Sequence, residues 1–298
     1  MKGILPMPIP DRVFALLLPW WPRRQRSQAP AVNGMNDILC PTDFTPAAAS
    51  AQRYATTIAA ASGSSITLLH VLDKHHHQSD ALASASAQMG TAADKLLRSV
   101  KVNEVFREGD PLKQIIAEST KGHALMVVGT HGPKGLRQSL LGADILKLVR
   151  HVGVPSLVVQ ADSPAEPRMG RILLPVAGHT DITGLLSAVC LLARTFSSEV
   201  HVFQIIRPGE EPSEQLLKNK LAMIHRLEQE GIARVEANVP STVFSMGFAE
   251  QTIRYAEEIG AGCIAIMAKA SDDFRWIADA EKERLLTNAP CIPVLCGL

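Results

Sequence analysis

The sequence predicts an α/β protein built as two tandem parallel-sheet α/β sandwich domains, and three observations carry that expectation. Short, nearly continuous apolar runs alternate with helix-like stretches, the pattern of strands covered on both faces and joined by helical crossovers. The pattern occurs twice: Ile38-Leu39-Cys40-Pro41 is echoed about 134 residues later by Ile172-Leu173-Leu174-Pro175, and residues 64–73 (SSITLLHVLD) by 198–207 (SEVHVFQIIR). Further on, 124–129 (ALMVVG) reads against 263–268 (CIAIMA), and each copy closes on another apolar run, at 155–160 and 293–296. Between the copies, residues 161–170 (ADSPAEPRMG) are rich in proline and small side chains, as a linker should be. The expected organisation is a disordered extension over 1–35, a first domain over 36–161 and a second over 170–298.

Within the first copy, helices are expected over 46–61, 83–100, 111–121 and 140–151. Thr45 before Pro46 and Asp110 before Pro111 are cap-then-proline starts. Gly63 should close the first helix, and Gly231 its counterpart in the second copy. The fourth strand is expected over 125–128, running directly into Gly129-Thr130-His131-Gly132.

Composition narrows the class. Of 298 residues, 46% are hydrophobic and 20% charged, which is globular, and a net charge of +1 leaves no basic footprint for nucleic acid. Five cysteines form an odd set without a CxxC pair; Cys40, Cys263 and Cys296 lie in strand-like runs, so reduced buried thiols of a cytoplasmic protein are expected. No apolar stretch is long enough to cross a bilayer. Residues 13–21 (VFALLLPWW) come nearest, but most of the positive charge follows the run, unlike a signal peptide.

In an open parallel sheet, ligands bind beyond the carboxyl ends of the strands where strand order reverses. Two such ends in the first copy carry chemistry: Pro41-Thr42-Asp43 after the first strand, and the glycine loop after the fourth, with Gly142 just before the next helix. Glycines let a backbone approach phosphates, and the N–H groups of the following helix face the anion. An aspartate can accept hydrogen bonds from a ribose or base, and Lys134 and Arg137 could reach phosphate oxygens. The loop is neither a P-loop nor GxGxxG, and spaced glycines alone are equally compatible with plain turns.

At these residues the sequence resembles the universal stress protein family, over essentially 36–298 as two family domains. Gly129, Gly132 and Gly142 fit the family's nucleotide signature of glycine, two residues, glycine, nine residues, glycine, with Ala143 where the family has serine or threonine. The opening ILCPTDFTP (38–46), HVLD (70–73) and the closing RHVGVPSLVV (150–159) extend the match. The resemblance implies an adenine nucleotide alpha hydrolase-like fold with strand order 3-2-1-4-5 and a bound ATP, with or without Mg²⁺. By the same carry-over, Asp43, Val71, Gly129, Gly132 and Gly142 contact the nucleotide, Thr42 and Val128 flank the adenine, and the Ala143 and Asp144 amides face the phosphates; His131, by its place in the glycine loop, reads as facing phosphate or solvent rather than as a general base. Ala143 lacks the hydroxyl placed there by the family pattern, which implies weaker ATP binding rather than none.

The second copy departs further. Ala177 stands for the strand-one aspartate, Ala268 and Ser271 for the first two glycines, and Glu281 lies near the third. A structural half is therefore expected, packed on the first as an intramolecular pseudo-dimer, with a homodimer of the whole chain left open. The His75-His76-His77 run reads as a solvated loop, since adjacent residues cannot aim three imidazoles at one ion, and Ser50 and Ser187 lack a nucleophile elbow. Three functions follow: a non-catalytic ATP-binding regulator of stress response with an unknown protein partner, a slow ATPase or adenylate-forming enzyme, or a partner-binding protein with a vestigial pocket.

Overall fold

The computed structural model describes residues 37–72, 79–97, 99–130, 142–207, 209, 211–241, 247–269 and 275–298. The expected extension over 1–35, the histidine run, and His131, Gly132, Lys134 and Arg137 lie outside the described residues. The first repeat runs β1 (Asp37–Pro41), α1 (Pro46–Ser62), β2 (Ser65–Leu72), α2 (Ser79–Leu97), β3 (Val102–Glu108), α3 (Pro111–Ser119), β4 (Leu125–Thr130), α4 (Gly142–His151) and β5 (Ser156–Gln160). The second runs β6 (Arg171–Pro175), α5 (Thr183–Phe196), β7 (Glu199–Ile206), α6 (Glu214–Gln229), β8 (Arg234–Pro240), α7 (Phe248–Glu258), β9 (Cys263–Met267), α8 (Arg275–Leu286) and β10 (Val294–Gly297).

The strands form one ten-stranded sheet in the order β3-β2-β1-β4-β5-β10-β9-β6-β7-β8. Each repeat thus has the order 3-2-1-4-5, all parallel, and the second appears reversed beyond the junction. The junction is the one antiparallel pair among the described residues, β5 with β10, in which Leu157 faces Leu295 and Val158 faces Val294. Both repeats belong to one compact unit, Asn33–Leu298. The edges that each repeat would otherwise leave open are consumed by each other, which removes an aggregation-prone surface.

Strand alternation sends side chains to two cores. Ile38 and Cys40 join Tyr54, Ile58 and Met89 under α1 and α2, and the same cluster continues through Leu185, Val189 and Met223 of α5 and α6. Leu39 and Val128 point to the other face, with Ile145 and Leu148 of α4, Ala249 of α7 and Leu285 of α8. All five cysteines are free, and burial pushes the thiols of Cys40, Cys263 and Cys296 up to about 12.

Local chemistry explains the helix ends. Thr45 accepts the Ala48 N–H at 3.3 Å and Asp110 accepts the Lys113 N–H at 2.8 Å, each before a proline in the first turn. Gly63 caps α1 with a left-handed φ of 71°. Its counterpart is not Gly231: α5 is closed by Ser197, at φ 53°, and Gly231 follows α6 instead. β4 also runs two residues past expectation, because Gly129 and Thr130 pair with Val159 and Gln160 of β5.

Candidate functional site

β1 and β4 are neighbours from which the chain departs in opposite directions, so a crevice opens beyond their carboxyl ends. Ile38 pairs with Leu125 and Leu39 with Met126, which brings Thr42 and Asp43 level with the end of β4. The turn after β1 is tightly specified. The Thr42 N–H donates to Leu69 O at 2.8 Å, and its hydroxyl accepts the Phe44 N–H and the Gln52 side-chain amide, both at 3.1 Å. Phe44 is thereby held at a left-handed φ of 63°, a strained conformation for an aromatic residue.

Asp43 is exposed. One carboxylate oxygen accepts the Thr45 N–H at 3.0 Å and the Thr45 hydroxyl, tying it to the cap of α1. The second oxygen takes no hydrogen bond among the described residues and is left as an acceptor. Val71, half-buried near the end of β2, pairs with Arg107. Gly142 and Ala143 open α4, and Asp144, exposed, lies in its first turn. Backbone N–H groups there have no intrahelical partner and are the donors that an anion would use.

Two candidates occupy structural positions. Val128 is a buried core side chain packed in the α3–α4 face, so its side chain is turned into the protein interior. Gly129 lies against the start of α1, where a Cβ would stand 2.4 Å from the Ala47 carbonyl carbon and oxygen. His70 was not legible as a neighbour of this turn. Its Nδ1–H donates to Thr42 O at 2.8 Å, and its ring lies 4.5 Å from Phe44 and edge-on to Phe106. The HVLD run carries it, but only the β1–β2 register, which sets Pro41 against Leu69, reveals the contact.

Strand register also fixes the correspondence between repeats. Ile38 matches Ile172, Leu125 matches Cys263 and Ser156 matches Val294, each by its place in the pairing. Ala177 therefore does replace Asp43. Gly129, however, corresponds to Met267 rather than Ala268, while Gly132 and Ser271 lie outside the described residues. Because Met126 and Ser156 in one repeat and Ile264 and Val294 in the other are paired at the same spacing, Ala143 corresponds by count to Glu281 and Asp144 to Lys282.

At the second crevice the chain fills its own space. The Asn219 side-chain amide, from α6, donates to Ala177 O at 2.7 Å and His179 O at 2.8 Å. The Glu281 carboxylate accepts the Ala249 N–H at the start of α7, where Gly247 leaves room for it. Lys282 donates to the Lys269 carbonyl and, at 3.4 Å, to Ala268 O; burial, then nearby Arg150, lowers its ammonium to about 8 despite Asp279. The remaining cavity, among Ala177, His179, Met223, Phe248, Met267 and Lys282, measures about 40 Å³. That holds a water or two and is far below the ~300 Å³ of a small-molecule pocket.

At the opposite end of β1 a charge cluster fixes the first repeat. Asp37 accepts from Ser65 at 2.6 Å, Thr67 at 2.7 Å and His123 Nδ1 at 2.6 Å. Glu118 accepts from Arg107 at 2.9 Å and Lys121 at 2.8 Å. Burial works to raise both carboxyls, but these hydrogen bonds outweigh it and hold each below the usual carboxylate range.

The model of the universal stress protein family matches residues 35–160. No curated protein matches the chain. A universal stress protein from Archaeoglobus fulgidus DSM 4304 is similar in structure, with a TM-score of 0.70 and 18% identity over 88% of this chain and 98% of that one. A functionally unknown protein from Pseudomonas aeruginosa PAO1 follows with a TM-score of 0.54 and 18% identity, covering 88% and 92%. These likenesses show the fold across both repeats, while the family match falls on the first. The first repeat, at residues 35–160, is thus a domain of the universal stress protein family.

Proposed function

We propose that this chain is a regulatory universal stress protein that binds an adenine nucleotide, ATP first among them, at the carboxyl-end crevice of β1 and β4. The observation that carries the reading is the contrast between repeats. In the first, Asp43 is fixed by Thr45 with one oxygen left to accept, and the first turn of α4 offers backbone donors. In the second, Asn219 and Glu281 bond to the chain's own backbone at Ala177 and Ala249, and the cavity lined by Ala177 and Lys282 measures about 40 Å³. The described residues fit a nucleotide: a hydroxyl-accepting carboxylate at one end of the crevice and a helix start at the other. Bound ATP would supply only its own charge and shape; Asp43 would orient the ribose or base, and the amides of Ala143 and Asp144 would face phosphate.

The proposed domains are 36–161 for nucleotide and 170–298 as a permanent structural partner joined through β5 and β10. Binding rather than turnover is proposed, in the cytoplasm and in response to stress, with the nucleotide altering contacts to a protein partner. Equilibrium dialysis with Mg-ATP, run beside a phosphate-release assay, tests this. The expected result is saturable retention of intact ATP. Retention of no nucleotide, or steady release of phosphate at ordinary enzyme rates, would contradict it.

A further inference from the structure

α1 and α2 lie side by side on the sheet but leave a long open groove of about 1220 Å³ between them. The groove starts at Phe44 and Thr45, at the carboxyl end of β1, and runs past Ala49, Ala60 and Ala87 to Leu96. In the second repeat the equivalent helices, α5 and α6, pack on each other, with Met223 and Leu227 of α6 buried in the shared core. The first repeat instead spends its small residues on the facing walls: α2 buries Ala85, Met89 and Ala93 beneath it and turns Ser84, Ala87 and Thr91 to the groove.

The chemistry of the walls is more apolar than their residue names suggest. Thr56 donates its hydroxyl to Gln52 O at 2.7 Å, Thr57 to Arg53 O at 3.1 Å, and Thr91 to Ala87 O at 2.9 Å. With each hydroxyl turned back on its own helix, the methyl groups are left for the groove. Helical backbone offers no free hydrogen-bonding groups either, and the lining amides of Gln52 and Gln88 donate to Thr42 Oγ1 and Ser84 Oγ, so the alanine and threonine-methyl stretches suit an alkyl chain. Charge is one-sided. The charged residues among those lining the groove are Arg53 and Lys95, both cations. Arg53 is set in place by donating to Ser50 Oγ at 2.7 Å, and the buried Ser50 in turn donates to Ala161 O at 2.8 Å. At the mouth, Phe44 is held at positive φ against the His70 ring.

We propose that the α1–α2 groove binds a single-chain anionic amphiphile, a long-chain carboxylate, with its alkyl chain along the alanine and threonine-methyl walls, its head at Arg53 and Lys95 adding positive charge further along the groove. Methyl-lined walls exclude water from the chain, and a guanidinium fixed by a buried hydroxyl is ready to meet a carboxylate without reordering. The groove's mouth adjoins the nucleotide crevice at Phe44 and Thr45, but its walls and cations are other residues, and neither reading requires the other.

The test is a fluorescence titration of the full chain with 11-(dansylamino)undecanoate. One saturable, blue-shifted binding event per chain is expected, displaced by dodecanoate and at least about tenfold less well by dodecyltrimethylammonium, since the cationic head forfeits a charge-assisted contact. Arg53→Glu with Lys95→Glu should weaken the probe by about tenfold or more on the same grounds. Ala87→Trp, at an exposed position where folding is not threatened, should abolish binding by filling the groove. Absence of saturable binding, equal displacement by both amphiphiles, or retained binding in Ala87→Trp would overturn the proposal. So would sedimentation showing a dimer that Ala87→Trp dissociates, since the groove would then belong to a second copy of the chain.

Discussion

Gly129 and Ala47 approach so closely that a Cβ on the glycine would stand 2.4 Å from the Ala47 carbonyl. The first glycine of the family signature is therefore already committed to seating α1 on β4, before any ligand arrives. Gly129→Ala should destabilise the protein by about 1–3 kcal/mol through overpacking. Urea denaturation with and without ATP checks this. An equal loss in both is expected; a loss confined to the ATP-bound protein would make Gly129 a ligand contact instead.

Leu295 lies opposite Leu157 at the antiparallel junction, and both are fully buried. Leu295→Glu places a charge among apolar strands of both repeats. The loss should exceed the ~2–5 kcal/mol of simple truncation. Because one sheet and two shared cores run through the junction, calorimetric melting should show a single transition shifted down for both repeats. A variant in which the first repeat melts at its original temperature would separate the halves energetically.

The fold was legible where short-range chemistry decides it, at Thr45-Pro46, Asp110-Pro111 and Gly63, since a cap or a positive φ depends on neighbouring residues. The strand order followed from the resemblance carried by the glycine loop and ILCPTDFTP. What escaped depended on distant partners. The direction of the Val128 side chain is one case, since the parity of β4 turns it into the core. Ser197 could not be seen as the cap of α5 because serine rarely adopts the conformation that Gly63 adopts freely. Matching 124–129 to 263–268 set the repeats one residue out of step, since two apolar runs align almost equally well in either register; strand pairing decides it. Likewise, nothing local in Asn219 or Glu281 shows that they close the second crevice from α6 and α8.

Asp37 and Glu118 both ionise more readily in the folded protein than in ordinary carboxyls of 3.8 and 4.5. Their stabilisation is fully present above those values and is lost as pH falls through the lower, folded ones, because the unfolded chain then binds more protons. Asp37→Asn should lower stability at pH 7 and flatten the acid limb of a plot of urea midpoint against pH. A variant that keeps the wild-type acid slope would assign the limb to other groups.

Lys282 runs the other way in alkali. Its ammonium is lowered from 10.5 to about 8, so between those values the unfolded state holds more protons and stability rises with pH. Lys282→Met should remove that rise while taking a donor from the Lys269 carbonyl; Ala268 O keeps the one from Arg150 Nε. Thermal melts across that interval provide the measurement. An unchanged alkaline slope in the variant would show that Lys282 does not titrate there.

Stoichiometry tests the central claim most directly, because the two repeats share a fold and differ in what fills their crevices. Titration calorimetry of the full chain with ATP should give one site per chain. Asp43→Ala should weaken that site by the ~1.5–3 kcal/mol of a hydrogen bond to a charged group. Asn219→Ala, in the second repeat, should leave both the count and the affinity unchanged. Two equivalent sites, or a single site that responds to Asn219→Ala and ignores Asp43→Ala, would contradict the assignment of the nucleotide to the first repeat.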